Sequence, residues 1–273
     1  MAVDQALVDL VSAPVLRLYR WQPATLTLGY FQRLSDRAQH KESRDCPVLR
    51  RSTGGGAIVH DLELTYSLIL PANLVLTKTS ELYDRVHESV ARILAQVGLE
   101  ARRHPHRPGP GDPGTPASVI VPTPSNNGLG GDATPKSTAK SVRDEPFLCF
   151  QRRAAGDLIL WPTGTAAQTE HADREVGHKI LGSAQRKRDG AVLQHGSILF
   201  QQSPSAPQLL GINDFLPPDQ KYSLDDFSQQ WVERLVAEFG WTPVASSLTP
   251  EETRRAQEHE RTRFSTSAWN AMR

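Results

Sequence analysis

A β-rich run, Cys46 to Arg51, enters three consecutive glycines, Gly54-Gly55-Gly56, and continues through Ala57-Ile58-Val59 into His60-Asp61. Three glycines in a row leave a backbone with no Cβ to hold a ligand away, and they open φ > 0 turns that other residues resist. Their N–H groups can converge on a carbonyl or phosphate oxygen. Arg50 and Arg51 add fixed positive charge with forked donors. The stretch reads either as a cradle for an acyl or phosphoryl group lying against main chain, or as a mobile turn between two strands.

Short β-rich runs surround it. Val15 to Trp21 alternates and reads as a strand, as do Ala24 to Tyr30 and Leu64 to Leu70. Arg17, Arg20 and Trp21 are candidates to line a pocket or to be solvated or packed. Residues 2–12 read as a short helix and 31–45 as a polar helical stretch. Ser80 to Gly98 is the clearest helix, with Leu82, Val86, Val90, Ile93, Leu94 and Val97 on one face, Ser80 as N-cap and Gly98 as stop. After Phe147, the runs Ala155 to Trp161, Gly177 to Arg186 and Ala191 to Phe200 form a meander, with Arg188-Asp189-Gly190 as a turn. The last part is helical. Ser223 caps a helix carrying Phe227, Trp231, Leu235 and Phe239, and Thr249-Pro250 starts a charged helix to about Phe264. The pattern predicts an α+β protein with a mixed, largely antiparallel sheet flanked by helices.

Totals narrow the function. The 273 residues suffice for one large domain, and 31 basic against 30 acidic residues give a formal net charge of +1, without the basic excess of a nucleic-acid binder. Two cysteines imply no disulfide framework. No leader-like segment is evident and no run approaches the roughly 18 apolar residues of a membrane span, so a soluble, cytoplasmic protein is expected. Residues 102–146 are dominated by Pro, Gly, Ser, Thr and Asn. That composition reads as a disordered insertion within a single domain spanning 1–273, and His104 and His106 read as solvated there rather than as a metal patch.

Taken in order, these segments resemble the catalytic domain shared by lipoate-protein ligases, octanoyltransferases and biotin-protein ligases. Met1 to Leu7 looks like the family's opening helix. Val15 to Trp21 with Thr27 to Gln32 looks like its first hairpin. Arg50 to Ala57 with His60-Asp61 is similar to its distinctive loop. Lys179-Ile180-Leu181-Gly182-Ser183-Ala184-Gln185 and Leu193-Gln194-His195-Gly196-Ser197 look like its lysine motif and following strand, and Ser267-Ala268-Trp269-Asn270 resembles its ending. The resemblance implies the biotin/lipoate ligase fold, with an acyl chain in a tunnel. It also implies transfer of a medium-chain acyl group to a lysine of a lipoyl carrier domain, either the glycine cleavage H protein or a 2-oxoacid dehydrogenase E2.

The family divides chemically. Its ligases use ATP and Mg²⁺ to form an acyl-adenylate. Its octanoyltransferases need no such cofactor; they take octanoyl from acyl carrier protein and hold it on a cysteine. Cys149, in Pro146-Phe147-Leu148-Cys149-Phe150, matches the nucleophile of the ligase-like octanoyltransferases. The alternative for a free cysteine between two phenylalanines is an inert buried thiol. Thiols react as thiolates, which a nearby cation favours. Lys179 reads either as an exposed loop lysine or as the source of that charge and of a hydrogen bond to the acyl carbonyl, with glycine-loop N–H groups as candidates for the oxyanion. Cys46 matches nothing catalytic and reads as structural.

The resemblance places Arg51, Ser52, Gly54, Gly55, Gly56, Ala57 and His60 against the substrate. It places Gly182, Ser183, Ala184 and His195 there too, and no metal. Arg51 reads as an anion or carbonyl contact or a strand-end ion pair, and His60 and His195 as pocket residues or satisfied core histidines. The chain ends soon after its last helix, without the accessory domain of many ligases, which favours transfer. Two departures flank the site: residues 102–146 and the loop from Pro162 to Val176 are both enlarged. A ligase and a non-catalytic binder of lipoyl domains remain the alternatives.

Overall fold

The structure is a computed structural model that describes residues 1–74, 79–105, 145–161 and 177–272. Its larger sheet has strands β1 (Val15–Tyr19), β5 (Glu63–Leu70), β6 (Ala101–Arg103), β7 (Leu158–Leu160), β8 (His178–Arg188) and β9 (Ala191–Leu199). They lie in the order β1-β5-β9-β8-β7-β6, and every neighbouring pair is antiparallel. A second, three-stranded sheet has β2 (Thr25–Leu28) at its centre, parallel to β3 (Val48–Arg50) and antiparallel to β4 (Ile58–His60). The expected mixed, largely antiparallel α+β architecture is therefore present.

Strand alternation gives the large sheet two unlike faces. Leu64, Tyr66, Leu68 and Leu70 of β5 join Val192 and Ile198 of β9 in the main core. Helices α2 (Thr79–Gln96) and α3 (Leu224–Phe239) cover that face through Leu82, Val86, Val90, Phe227, Trp231 and Leu235. The Trp231 indole donates to Ser89 Oγ at 2.8 Å, which satisfies the one polar atom of a fully buried ring. On the opposite face Ile69, Ala191 and Leu193 pack under Leu7 and Val8 of α1 (Ala2–Leu10). Farther along, that face turns polar, with Thr65, Ser67, His195 and Ser197. A cavity forms over this polar end.

The caps follow local chemistry. Ser223 Oγ accepts from Asp226 N at the start of α3, and Thr249 forms a reciprocal capping box with Glu252 ahead of Pro250 at the start of α4 (Pro250–His259). The short α5 (Ser267–Asn270) folds back on β3, and the Arg50 side chain donates to the Trp269 and Asn270 carbonyls. Among the described residues no helix is long and apolar enough to cross a membrane.

Several expectations need correction. Val15–Tyr19 and Thr25–Leu28 do not form a hairpin; β1 pairs with β5 and β2 joins the other sheet. Residues 31–45 contain only a 3-10 turn, Leu34–Gln39. Ser80 is the second residue of α2 rather than its cap, since the helix begins at Thr79. The segment 102–146 is not irregular from its first residue. Arg102 and Arg103 lie in β6, paired with Ile159 and Leu158, because a sheet edge gives their main chain partners whatever the side chains are. Residues 106–144 and 162–176 lie outside the described residues.

Candidate active site

A cavity of about 470 Å³ lies between the polar end of the large sheet and the β3–β4 loop, residues 51–57. Cys149 reaches it from a 3-10 turn, Cys149–Gln151. The turn is pinned to the glycine loop. Leu148 bridges Ala57, Ala57 N donates to Phe147 O at 2.9 Å, and Cys149 N donates to Ala57 O at 2.7 Å. A Cβ on Gly56 would sit 2.8 Å from Cys149 N, so the close approach of these two backbones requires glycine there.

Lys179 enters from the opposite wall. Its ammonium donates to Asp157 Oδ2 at 2.8 Å and to the Cys149 carbonyl at 3.3 Å, and it lies 3.9 Å from Cys149 Sγ. Strand geometry explains the placement. Ile159 pairs with Lys179 but Leu158 pairs with Leu181, leaving one extra residue on β8, a bulge. The bulge sends both Ile180 and Leu181 into the core and turns Lys179 onto the cavity face with Gly182. Lys179 and Asp157 side chains are only 4% and 2% exposed, so each compensates the other's buried charge.

Arg51 behaves differently. It lines the cavity but commits its donors to protein: Thr27 O at 2.9 Å, Thr27 Oγ1 at 2.7 Å and Gly56 O at 2.7 Å. Burial pushes its pKa down to about 10, partly offset by Cys149, so it stays charged at neutral pH. These bonds make Arg51 a brace for the glycine loop at the cavity wall. Its bond to Thr27 sets a direction: the Thr27 hydroxyl donates to His60 Nε2 at 2.8 Å, and His60 Nδ1 donates to Glu63 Oε1 at 2.8 Å. Trp21 Nε1 donates to Thr65 Oγ1 at 2.9 Å, which in turn donates to Glu63, and the Trp21 and His60 rings stack at 4.4 Å. Both nitrogens of His60 are thus engaged, and this end of the cavity presents ring surface.

His195 Nε2 shares a hydrogen bond of 2.9 Å with Thr53 Oγ1, and burial pushes its pKa down to about 4, so it is neutral at physiological pH. The cavity brings together Cys149, Lys179, Arg51, Gly54, Gly55, Gly56, His60, Gly182, Ser183, Ala184 and His195. Ser52 and Ala57 are not part of its wall. Ala57 is fully buried in the second core cluster, where its main chain is bonded to the Cys149 turn. Arg17 pairs with Asp4, and Arg20 pairs with Asp225 on the surface. Cys46 is buried in that same second cluster.

Sequence reasoning missed Asp157, Tyr83 and His87. Tyr83 donates to Asp157 Oδ1 at 3.2 Å, and its ring stacks on His87 at 4.0 Å. His87 donates through Nδ1 to Gly156 O at 2.8 Å and accepts from Ser183 Oγ at Nε2, 2.7 Å; burial pushes its pKa down to about 3. The available signal was a polar pair four residues apart on α2 beside an otherwise apolar stripe.

The fold is that of a catalytic domain. Residues 1–221 match the model of the lipoyl protein ligase A/B catalytic domain, and the chain belongs to that family. It is similar to octanoyltransferase LipM of Brevibacillus brevis, 29% identical over 100% of this chain and 94% of that relative. It is also similar to octanoyltransferase LipM of Staphylococcus aureus, 34% identical over 73% of this chain and 60% of that relative. Among solved structures, the bi-partite lipoate protein ligase of Thermoplasma acidophilum has a TM-score of 0.64 at 20% identity, covering 100% of this chain and 91% of that one. A lipoate-protein ligase A bound with ATP has a TM-score of 0.64 at 20% identity, covering 99% of this chain and 92% of that one. These structural likenesses establish the fold.

Proposed function

We propose that this chain, acting as a single catalytic domain in the cytoplasm, is an octanoyltransferase of protein lipoylation. The observation that carries the reading is a thiol, Cys149, facing a cavity 3.9 Å from the Lys179 ammonium. The LipM relatives point the same way. The Cys149 thiolate attacks the octanoyl thioester of acyl carrier protein, and the carrier's thiolate leaves. The ε-amine of a lipoyl-domain lysine, on an E2 subunit or the glycine cleavage H protein, then attacks the Cys149 thioester. An amide forms, and the amine's proton returns the cysteine to the thiol. Lys179 and the glycine-loop N–H groups stabilise the oxyanion in both steps. The engaged polar groups around His60 and Trp21 leave a ring-lined wall suited to an alkyl chain. Neither ATP nor Mg²⁺ enters this sequence.

The test incubates the protein with octanoyl-acyl carrier protein and an apo lipoyl domain without ATP. The expected results are an octanoyl mass increment on Cys149, octanoylated acceptor, and loss of both in Cys149→Ser. Transfer that proceeds unchanged in that variant overturns the reading. Pyrophosphate release from ATP and free lipoate, with no Cys149 adduct, establishes the ligase instead. Acceptor binding without either chemistry establishes a binder.

A further inference from the structure

Lys179 does not aim itself. A lysine side chain is long and flexible, and an ammonium offers three donors without a preferred plane. Here one donor goes to Asp157 and a second to the Cys149 carbonyl, which leaves the third side of the ammonium toward Sγ. Gly182 keeps the path clear, since a Cβ there would lie 2.5 Å from Lys179 Cε and 2.8 Å from Nζ.

Asp157 is held just as closely. Oδ2 accepts from Ala154 N at 2.6 Å as well as from Lys179, and Asp157 N donates to Ala154 O at 3.1 Å, closing a turn. Oδ1 accepts from the Tyr83 hydroxyl at 3.2 Å. The Tyr83 ring presses on the turn from α2: a Cβ on Gly156 would lie 2.7 Å from Tyr83 Cε1. Burial, reinforced by Asp157, raises the Tyr83 pKa far above its ordinary value, so the phenol keeps its proton and remains a donor. Lys179 is thus reached from helix α2 through two side chains, Tyr83 on the helix and Asp157 on the turn before β7.

We propose that Asp157 and Tyr83 form a clamp that aims the Lys179 ammonium at Cys149, which makes Tyr83 a positioning residue for acyl transfer although it stands on helix α2. Its catalytic meaning rests on the octanoyl-transfer reading; its geometry does not. Losing the Tyr83 hydroxyl frees Oδ1 to swing, and the ammonium moves with the carboxylate.

The experiment compares the wild-type protein with Tyr83→Phe, Asp157→Asn and the double variant, reading single-turnover acylation of Cys149 by octanoyl-acyl carrier protein. Tyr83→Phe keeps the ring and removes one hydrogen bond, so acylation slows about five-fold with KM for the donor unchanged. Asp157→Asn slows it about a hundred-fold. In the Asp157→Asn background, Tyr83→Phe has no further effect, because the two act through one contact; a merely structural Tyr83 gives independent, multiplying losses. Wild-type rates in Tyr83→Phe, or multiplying losses, overturn the clamp. Alkylation of Cys149 by iodoacetamide, located by mass, reads the same geometry without any acyl donor. Tyr83→Phe slows it about five-fold as well, and an unchanged rate overturns the clamp. This arm needs only the conservative variant and stands if Asp157→Asn does not fold. Absence of acylation in the wild-type protein, with alkylation slowed in Tyr83→Phe, defeats the octanoyl reading and leaves the clamp standing.

Discussion

The cavity has two charged walls, and they use their cations in opposite ways. On the glycine-loop wall, Arg51 directs its guanidinium at main-chain carbonyls and Thr27, so its charge holds the loop in shape. On the β7–β8 wall, Lys179 is also buried, but its partners leave it facing a thiol. Arginine's planar fork suits the first role, where several fixed acceptors must be met at once. A compact ammonium suits the second, where one point charge must meet a reacting atom. On the octanoyl-transfer proposal the difference separates a bracing cation from a reacting one, and substitution can test that separation.

Lys179→Gln is expected to have the largest effect. It keeps hydrogen-bonding capacity and removes the charge, and Cys149 acylation should fall about 10²- to 10³-fold per folded molecule. Stability should also fall, by roughly 3 kcal/mol, because Asp157 is left buried without a counter-charge. Activity within ten-fold of the wild type would erase the contrast between the walls. Arg51→Met is expected to show the reverse balance. Thr27 O and Gly56 O lose a charged donor, costing about 3 kcal/mol in urea unfolding. The acylation rate of the folded fraction should fall less than in Lys179→Gln. A larger catalytic loss from Arg51→Met would move it into the chemistry.

The two buried histidines extend the comparison to pH, since His195 belongs to the cavity floor and His87 to the α2 side. Burial holds His195 near 4 and His87 near 3, below the ordinary histidine value of 6.5. The unfolded chain therefore binds more protons than the folded one once the pH drops below about 6.5. Their contribution is fully present above that pH and is lost as the pH falls toward 4 and 3, by up to about 1.4 kcal/mol per pH unit for each histidine. Urea midpoints measured at intervals from pH 7.5 to 4.5 should decline accordingly, and the slope should shrink in His195→Gln. A flat profile below pH 6.5 would mean that these histidines are not buried neutral.

The two walls also differ in how far they are legible in the sequence. The glycine loop is local: its three glycines, its arginines and the His60 strand are contiguous, and periodicity and turn chemistry suffice to place them. The apolar stripes of α2 and α3 and the caps at Ser223 and Thr249 are equally readable, whereas the cap of α2 and the stretch 31–45 are not. The β7–β8 wall depends on a bulge at Ile180 and on Gly156-Asp157, which meets Tyr83 and His87 of α2 only when that helix packs on the sheet. No window of sequence contains that information. The pairing of β1 escapes the sequence for a related reason: adjacent β-rich runs suggest a hairpin, and the choice of sheet is made by tertiary packing. Resemblance to a family located Lys179 without explaining what holds it.

The smallest expected effect concerns Ser52, which sequence motifs place against the substrate but which does not belong to the cavity wall. Its two neighbours each have a defined role, for Arg51 braces the loop and Thr53 bonds His195. Ser52→Ala keeps the backbone conformation and should change stability by less than about 0.5 kcal/mol. Acylation should stay within about two-fold of the wild type, since no transition-state contact is removed. A loss of ten-fold or more would place the Ser52 hydroxyl within the reacting complex and make the glycine-loop wall chemical after all. Thr53→Val is the matched control on the same wall. It leaves His195 Nε2 without its hydroxyl partner and should cost about 1 kcal/mol of stability. A difference between these neighbours would show that the loop acts by holding buried partners, as Arg51 does.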